Sequence, residues 1–217
     1  MQALDVFLSR LLPQVPGCPD ILAKQSLLDS AIEFCEETSI IQSTSNPQTV
    51  TAGTATYSLT LPTQQAVSTT LKVWHNTTLL YPATPEQVTD ILAYVAAAGS
   101  DTAPRGTPEA YYEFTPGVIG LYPVPKTTAT LAFSARIATK PTRSASTLED
   151  VLYNDWVEAI VGGAIGRICA TPGQAFSDAG RSAAGYAKFW LDVAKATNIA
   201  LRGRVRTSIA VRGPTFA

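Results

Sequence analysis

Catalytic vocabulary is scarce in this chain. Its 217 residues hold one histidine, His75, and three cysteines, Cys18, Cys35 and Cys169. A Ser-His-Asp site would have to use His75, yet no G-x-S-x-G or comparable nucleophile motif accompanies it. An isolated histidine without a constellation reads as structural or as surface. An odd number of cysteines with no C-x-x-C argues against both a disulfide framework and a zinc site, and fits folding in a reducing cytoplasm. Long apolar runs are missing too. The longest, residues 159–166, is bracketed by Glu158 and Arg167 and falls short of the roughly 20 residues that cross a bilayer. The first ten residues carry Asp5 and no basic n-region, so they do not read as a signal peptide. No enzyme activity, cofactor, metal or membrane contact is expected.

Charge is sparse as well. Asp, Glu, Lys and Arg make up 15% of the chain while 46% is hydrophobic; an average soluble domain carries about 25% charge. Sparse charge leaves neutral surface for partners to bury, although a large core gives the same composition. The net charge of −1 argues against a generally basic nucleic-acid binder. The charges are also unevenly placed. Before residue 41 the acids Asp5, Asp20, Asp29, Glu33, Glu36 and Glu37 stand against only Arg10 and Lys24. After Asp192 no acid follows, while Lys195, Arg202, Arg204, Arg206 and Arg212 do. An acidic front and a basic end could meet different partners, or each could be a solvated face.

What is present is pattern. The fold class expected is α+β: a helical bundle of N-terminal helices plus a C-terminal antiparallel helix pair, with a central antiparallel β-rich insertion and an extended C-terminal tail. The boundaries fall at 1–41, 42–146, 147–199 and 200–217. Leu4, Phe7, Leu8 and Leu11 share one face of a short first helix that Pro13 and Pro16-Gly17 stop. A second helix begins near Pro19-Asp20, with Ile21, Leu28, Ala31, Ile32 and Cys35 inward and Ser26, Ser30, Glu33 and Glu37 outward. Asn76-Thr77 reads as a tight hairpin turn, and Thr84-Pro85-Glu86 as a cap opening a short helix with Val88, Ile91, Leu92 and Val95 inward. Further strands are expected over 111–114, 117–122 and 128–137, the last with Leu131, Phe133 and Ala135 on its buried face.

Ser146-Thr147-Leu148-Glu149 is a capping-box pattern, expected to open one helix through about Ala170 that is apolar on two faces. Burial on two sides places such a helix in a core or between subunits, and Trp156, Ile160, Ile165 and Ile168 are the candidate inter-subunit residues. Thr171-Pro172-Gly173 ends it. The next helix carries Phe176, Ala179, Ala183, Tyr186, Trp190 and Val193 on one stripe, antiparallel to the first. Gly162, Gly166, Gly180, Ala184 and Ala187 would let the two backbones approach. Gly162-Gly163-Ala164-Ile165-Gly166 lacks the Lys-Ser/Thr of a phosphate loop and sits within a helical pattern, so it reads as helix packing. Glu33 and Glu37, one turn apart, read as a solvated face rather than paired catalytic carboxylates. Trp74, Trp156 and Trp190 read as core. The last segment, 201–217, has too few large apolar residues to fold alone, but Val205, Ile209, Val211 and Phe216 want burial. Such a segment orders on docking to a partner, or frays.

This order of parts resembles the head-to-tail adaptors of tailed bacteriophages, most nearly the tail tubular protein A group of short-tailed phages. The likeness is carried by residues 116–125 (PGVIGLYPVP), Thr130-Leu131-Ala132-Phe133 and Pro141. It continues through Leu148-Glu149-Asp150 into Trp156-Val157-Glu158-Ala159-Ile160, and residues 31–38 (AIEFCEET) look like the first long helix of such proteins. The resemblance implies a virion protein of the neck or tail, made in the host bacterial cytoplasm. It implies a homo-oligomeric ring, usually of twelve subunits, between the portal protein and a tail nozzle or next tail component. Genomic DNA would pass through the lumen without sequence-specific binding, for packaging retention and ejection. It further implies a portal-docking tail, which here would use Arg202, Arg204, Arg206, Arg212 and Phe216. The competing readings are a tail accessory protein whose β module binds a ligand or glycan through Trp74, Tyr81, Tyr111 and Tyr112, and a hydrolase, for which no acid–base pair is found.

Overall fold

A computed structural model describes residues 1–84, 86–89 and 103–202 of the chain. Strand β1 (Gln2–Ala3) leads into α1 (Leu4–Leu11), then a 3-10 turn (Leu12–Gln14), then α2 (Asp20–Thr38). The β region follows as β2 (Gln42–Thr44), β3 (Gln48–Val50), β4 (Thr56–Ser58), β5 (Gln65–His75), β6 (Thr78–Leu79) and β7 (Tyr81–Pro82). It continues as β8 (Arg105–Gly106), β9 (Ala110–Thr115), β10 (Val118–Tyr122), β11 (Val124–Pro125) and β12 (Ala129–Pro141). Strand β13 (Thr147–Leu148) precedes α3 (Asp150–Asn154), α4 (Val157–Cys169) and α5 (Ala179–Arg202). The fold is α+β, with one apolar cluster among the helices and a second in the sheets.

The two clusters meet along β12 and β5. These long strands pair antiparallel from Gln65↔Pro141 at the helical end to His75↔Phe133 at the far end. Strands β2 and β3 add to the other side of β12, and β6 to β5. A second sheet, ordered β4-β10-β9-β7, shares the same apolar cluster, with Tyr57 against Phe133 at 5.5 Å between ring centroids. Pairing is antiparallel except for two short parallel pairs, β7 with β9 and β8 with β11. The turn at Asn76-Thr77 forms as expected, with Asn76 at φ 55°. Thr84 and Gln87 form a reciprocal cap: the Gln87 N–H donates to Thr84 Oγ1 and the Thr84 N–H to Gln87 Oε1. Residues 86–89 are helical, with Val88 buried; Ile91, Leu92 and Val95 lie outside the described residues.

Where the structure departs from the sequence reading, tertiary contacts explain it. No single helix runs from 148 to 170. Thr147 and Leu148 pair as a strand with Ala3 and Gln2, and Gln64 Oε1 accepts the backbone N–H groups of Ser146 and Thr147. The expected capping box is therefore used up in a joint between the sheets and the helices. A second break falls at Trp156 (φ −130°, ψ 12°), whose indole packs on Phe34. Leu131 is 70% exposed because it takes φ 51° where β12 shifts register between Ala129 and Phe133. On α2, Ile21 is 73% exposed, whereas Ser26 and Ser30 are buried. Ser30 Oγ donates to the Ile160 carbonyl at 2.9 Å, so a polar residue is satisfied inside the bundle.

Helix α5 is rotated by about one residue from the expected stripe. Ser182, Gly185, Phe189, Val193 and Ala196 face inward; Ala179, Ala183 and Trp190 face outward. The reason lies at Gly185. A Cβ there would stand 2.7 Å from the Gly162 carbonyl oxygen and 2.9 Å from the Gly166 nitrogen, so only glycine fits. Gly162 and Gly166 stand at the contact as expected, but Gly180 and Ala187 are exposed, and Ala184 lines the open edge of the groove beside Gly162. The connection between α4 and α5 is longer than expected, residues 170–178, and buries Phe176.

Two predictions follow from this packing. Gly185→Ala is expected to lose about 1–3 kcal/mol of unfolding free energy through overpacking, while Gly162→Ala, whose Cβ would sit 3.4 Å from the Gly185 carbonyl oxygen, loses less; urea titration measures both. His75 is buried, and burial lowers its pKa from 6.5. The unfolded chain therefore binds the proton more readily, so this residue's contribution to stability is complete above pH 6.5 and declines as pH falls below it. As the sole histidine, its ring resonances report the titration directly, and a midpoint at or above 6.5 would contradict the placement.

Candidate assembly surfaces

Helix α4 is the centre of the bundle. Nearly all of it is buried, between α2 on one side and α5 on another. Ile160 and Ile168 are fully buried and Ile165 is 9% exposed; Trp156 is partly buried against the same cluster. The two apolar faces of this helix are thus covered by the chain's own helices. Of the candidate inter-subunit residues, Ile160 and Ile168 are fully covered within the chain, Ile165 lines an open groove between α4 and α5 and Trp156 is partly exposed.

Ion pairs tie the bundle's outer edges together. Glu158 on α4 accepts from Lys188 on α5 at 2.9 Å and from Arg10 on α1 at 3.2 Å. The hydrogen bond from Lys188 is the main cause that holds the Glu158 carboxyl below its ordinary range, against partial burial that acts the other way. Glu33 pairs with Arg167 of α4 at 2.5 Å, so it clamps α2 to α4. Glu36, at the helix end where the macrodipole disfavours an acid, is compensated by Lys140 of β12. Asp29 pairs with Arg143 at 2.9 Å and Lys24 with Asp5 at 2.7 Å. Four of the six acids of the front, Asp5, Asp29, Glu33 and Glu36, are thus paired within the chain, and Asp20 and Glu37 are exposed.

The three cysteines are free and buried, and burial pushes the Cys35 thiol up to about 12. Among the described residues no group of three or more His, Cys, Asp or Glu could hold a metal ion, and no helix there is long and apolar enough to cross a membrane. The aromatic set proposed for glycan binding does not form a surface platform. Tyr111 and Tyr112 are buried and Trp74 is half-buried, leaving Tyr81 exposed. Tyr112 lies flat over Gly120, where a Cβ would come within 2.2 Å of the ring.

Of the residues proposed for portal docking, Arg202 closes α5 and is exposed. Arg204, Arg206, Arg212 and Phe216 lie outside the described residues. Helix α5 continues through Arg202, past the expected boundary at 199.

The outer face of α5 was missed by the sequence reading. Trp190, Leu191 and Leu201 are 46%, 59% and 81% exposed, and Ala183, Ala187 and Ala194 stand between them. The clue was available: Ala187, Ala194 and Leu201 recur every seven residues, as do Arg181, Lys188, Lys195 and Arg202.

No curated protein matches the chain. The family described as SU10 adaptor protein matches residues 8–212, from α1 to beyond the end of α5. That span takes in both the helical bundle and the β region, in the order from which the likeness to phage adaptors was first read. The chain belongs to the SU10 adaptor protein family, and so among the structural adaptors of phage virions.

Proposed function

We propose that this adaptor is the ring, of twelve subunits, that joins the portal protein to the tail nozzle or next tail component in the virion neck. Its mechanism is association. Helical surfaces bury against neighbouring copies, and the segment 203–217 docks against the portal. Genomic DNA passes through the lumen, held after packaging and released on ejection, with no sequence-specific contact. Membership of the adaptor family over residues 8–212 carries this reading. Two features support it. The helices leave an uncharged, partly apolar outer face on α5, and the chain after Asp192 holds five bases and no acid, suited to an acidic docking surface.

The division of labour follows the two apolar clusters. In this proposal residues 1–41 and 147–199 build the ring wall, and 42–146 face the tail side or outer rim. The β region meets the helices where α2 packs on β12 and β5, with polar joints such as Gln65 with Glu149 and Lys140 with Glu36, and its far end presents a surface of its own. Leu131 and Leu79, 70% and 48% exposed, stand at its end away from the helices.

Electron microscopy of the purified chain, alone and mixed with the portal of the same virus, is expected to show rings in at least the mixture. Absence of rings from both samples would remove the reading. Removing residues 203–217 is expected to abolish portal attachment while leaving the circular dichroism spectrum unchanged. Attachment at full strength would show that docking lies elsewhere.

A further inference from the structure

Helix α3 starts without its best cap. Glu149 stands at the N-cap position (φ −60°, ψ 143°) and its side chain makes no capping bond; glutamate is not among the residues favoured there. One turn earlier lies Ser146-Thr147-Leu148-Glu149. In a formed capping box the serine hydroxyl accepts from the Glu149 N–H, and the Glu149 carboxylate accepts from the Ser146 N–H. Here the box is not formed, because residues 147–148 are extended and pair with Ala3 and Gln2. A local signature that tertiary contacts override marks a segment with two competing conformations, and such conflicts gather at functional or strained positions.

What overrides the signature is one amide on strained backbone. Gln64 takes φ 67°, a region that residues other than glycine seldom occupy. Its Oε1 accepts the Ser146 N–H at 2.9 Å, the Thr147 N–H at 3.1 Å and the Thr147 hydroxyl at 3.0 Å. A carbonyl oxygen has two lone pairs, so these donors compete for it. The neighbouring Gln65 holds the Glu149 carboxylate that the box would use. The helical alternative suits the core equally. Leu148 and Leu152, 1% and 0% exposed, are four residues apart, so one helix face carries both. Leu148 therefore stays inward in either conformation. Polar groups balance too: the Ser146 N–H exchanges Gln64 for Glu149, and the Glu149 N–H gains the serine hydroxyl. A helix rises 1.5 Å per residue and a strand about 3.3 Å, so the change shortens residues 147–149 by about 5 Å. Only residues 142–145 separate this segment from the end of β12 at Pro141, so the shortening pulls on the β region.

We infer that residues 146–149 form a two-state strap between the β region and the bundle. In one state the strap is extended and held by Gln64. In the other it is helical and continuous with α3, strand β1 is set free, and the β region is drawn toward the helices. The strap uses contacts within one chain and does not depend on the ring reading. A partner that binds the freed groups shifts the balance by the difference in its affinity for the two states.

Amide hydrogen exchange of the full chain, read by nuclear magnetic resonance, tests it. In the helical state Thr147 is the first helical residue, and its N–H has no acceptor, so Thr147 exchanges through that state. Ser146→Ala removes the serine cap, worth about fivefold in a helix equilibrium. Exchange at Thr147 is therefore expected to slow by about fivefold in this variant. A serine with a structural role alone gives the opposite sign, because its hydroxyl also meets the Gln64 amide at 3.3 and 3.4 Å. Unchanged or faster exchange overturns the strap. Gln64→Ala removes the overriding amide. In that variant the Cα shifts of Thr147 and Leu148 are expected to move from strand to helical values, and those of Gln2 and Ala3 toward coil values. Adding Ser146→Ala is expected to lower the helical population by about fivefold. Strand or coil values at 147–148 in a Gln64→Ala protein that keeps its circular dichroism spectrum overturn the strap as well. If Gln64→Ala does not fold, the exchange of the Ser146→Ala protein decides alone.

Discussion

The close approach of α4 to α5 is the constraint from which the helical part is built. Gly185 lies so close to the α4 backbone at Gly162 and Gly166 that no side chain fits at position 185. Once that contact is set, the rotation of α5 is set with it. Phe189 and Val193 turn into the core and Trp190 turns out. The same packing makes α4 almost wholly internal, with Glu158 and Arg167 at its edges, and closes its remaining side with α2 and with the Ser30 hydroxyl on the Ile160 carbonyl. A helix apolar all round has no other stable place in water.

This explains which parts of the fold could be read from the residues and which could not. Elements with strong period and clear stops were legible: α1 with its four buried positions and following prolines, the Asn76-Thr77 turn, and the strand expected over 128–137, which runs on to Pro141. The phase of α5 was not, because hydrophobicity favours Trp190 inward while steric fit at Gly185 favours the reverse. Burial per residue is worth up to about 3 kcal/mol, yet it cannot be gained by a face that holds the helices apart. The Ser146–Glu149 segment failed for a similar reason. Its local signature for a helix start was sound, but Gln64, distant in sequence, accepts the same N–H groups, and a strand pairing with residues 2–3 displaces the cap. Single-sequence patterns carry no information on such long-range partners.

The candidate site was legible in part, in kind more than in place. The absence of a catalytic constellation, the uneven charge and the order of elements all pointed to assembly, and the family match agrees. Exposed and buried apolar faces look alike in sequence, so a two-faced apolar helix reads equally as core or as a seam between subunits; within one chain α4 is mostly core.

The acidic α2 shows why formal charge overstates what a surface offers. Asp29, Glu33 and Glu36 each already have a base within the chain, on the 140–143 segment or on α4. Exposed pairs of this kind contribute about 1 kcal/mol or less, so they do little for the stability of the fold. Their effect is on register: they fix the 140–143 segment and α4 against α2, and Arg143 and Arg167 give the groove beside Ile32 alternating charges. The free energy that holds these elements together must then come from the apolar residues packed beneath the charges, where Leu28, Ala31, Ile32 and Cys35 meet the rest of the bundle core.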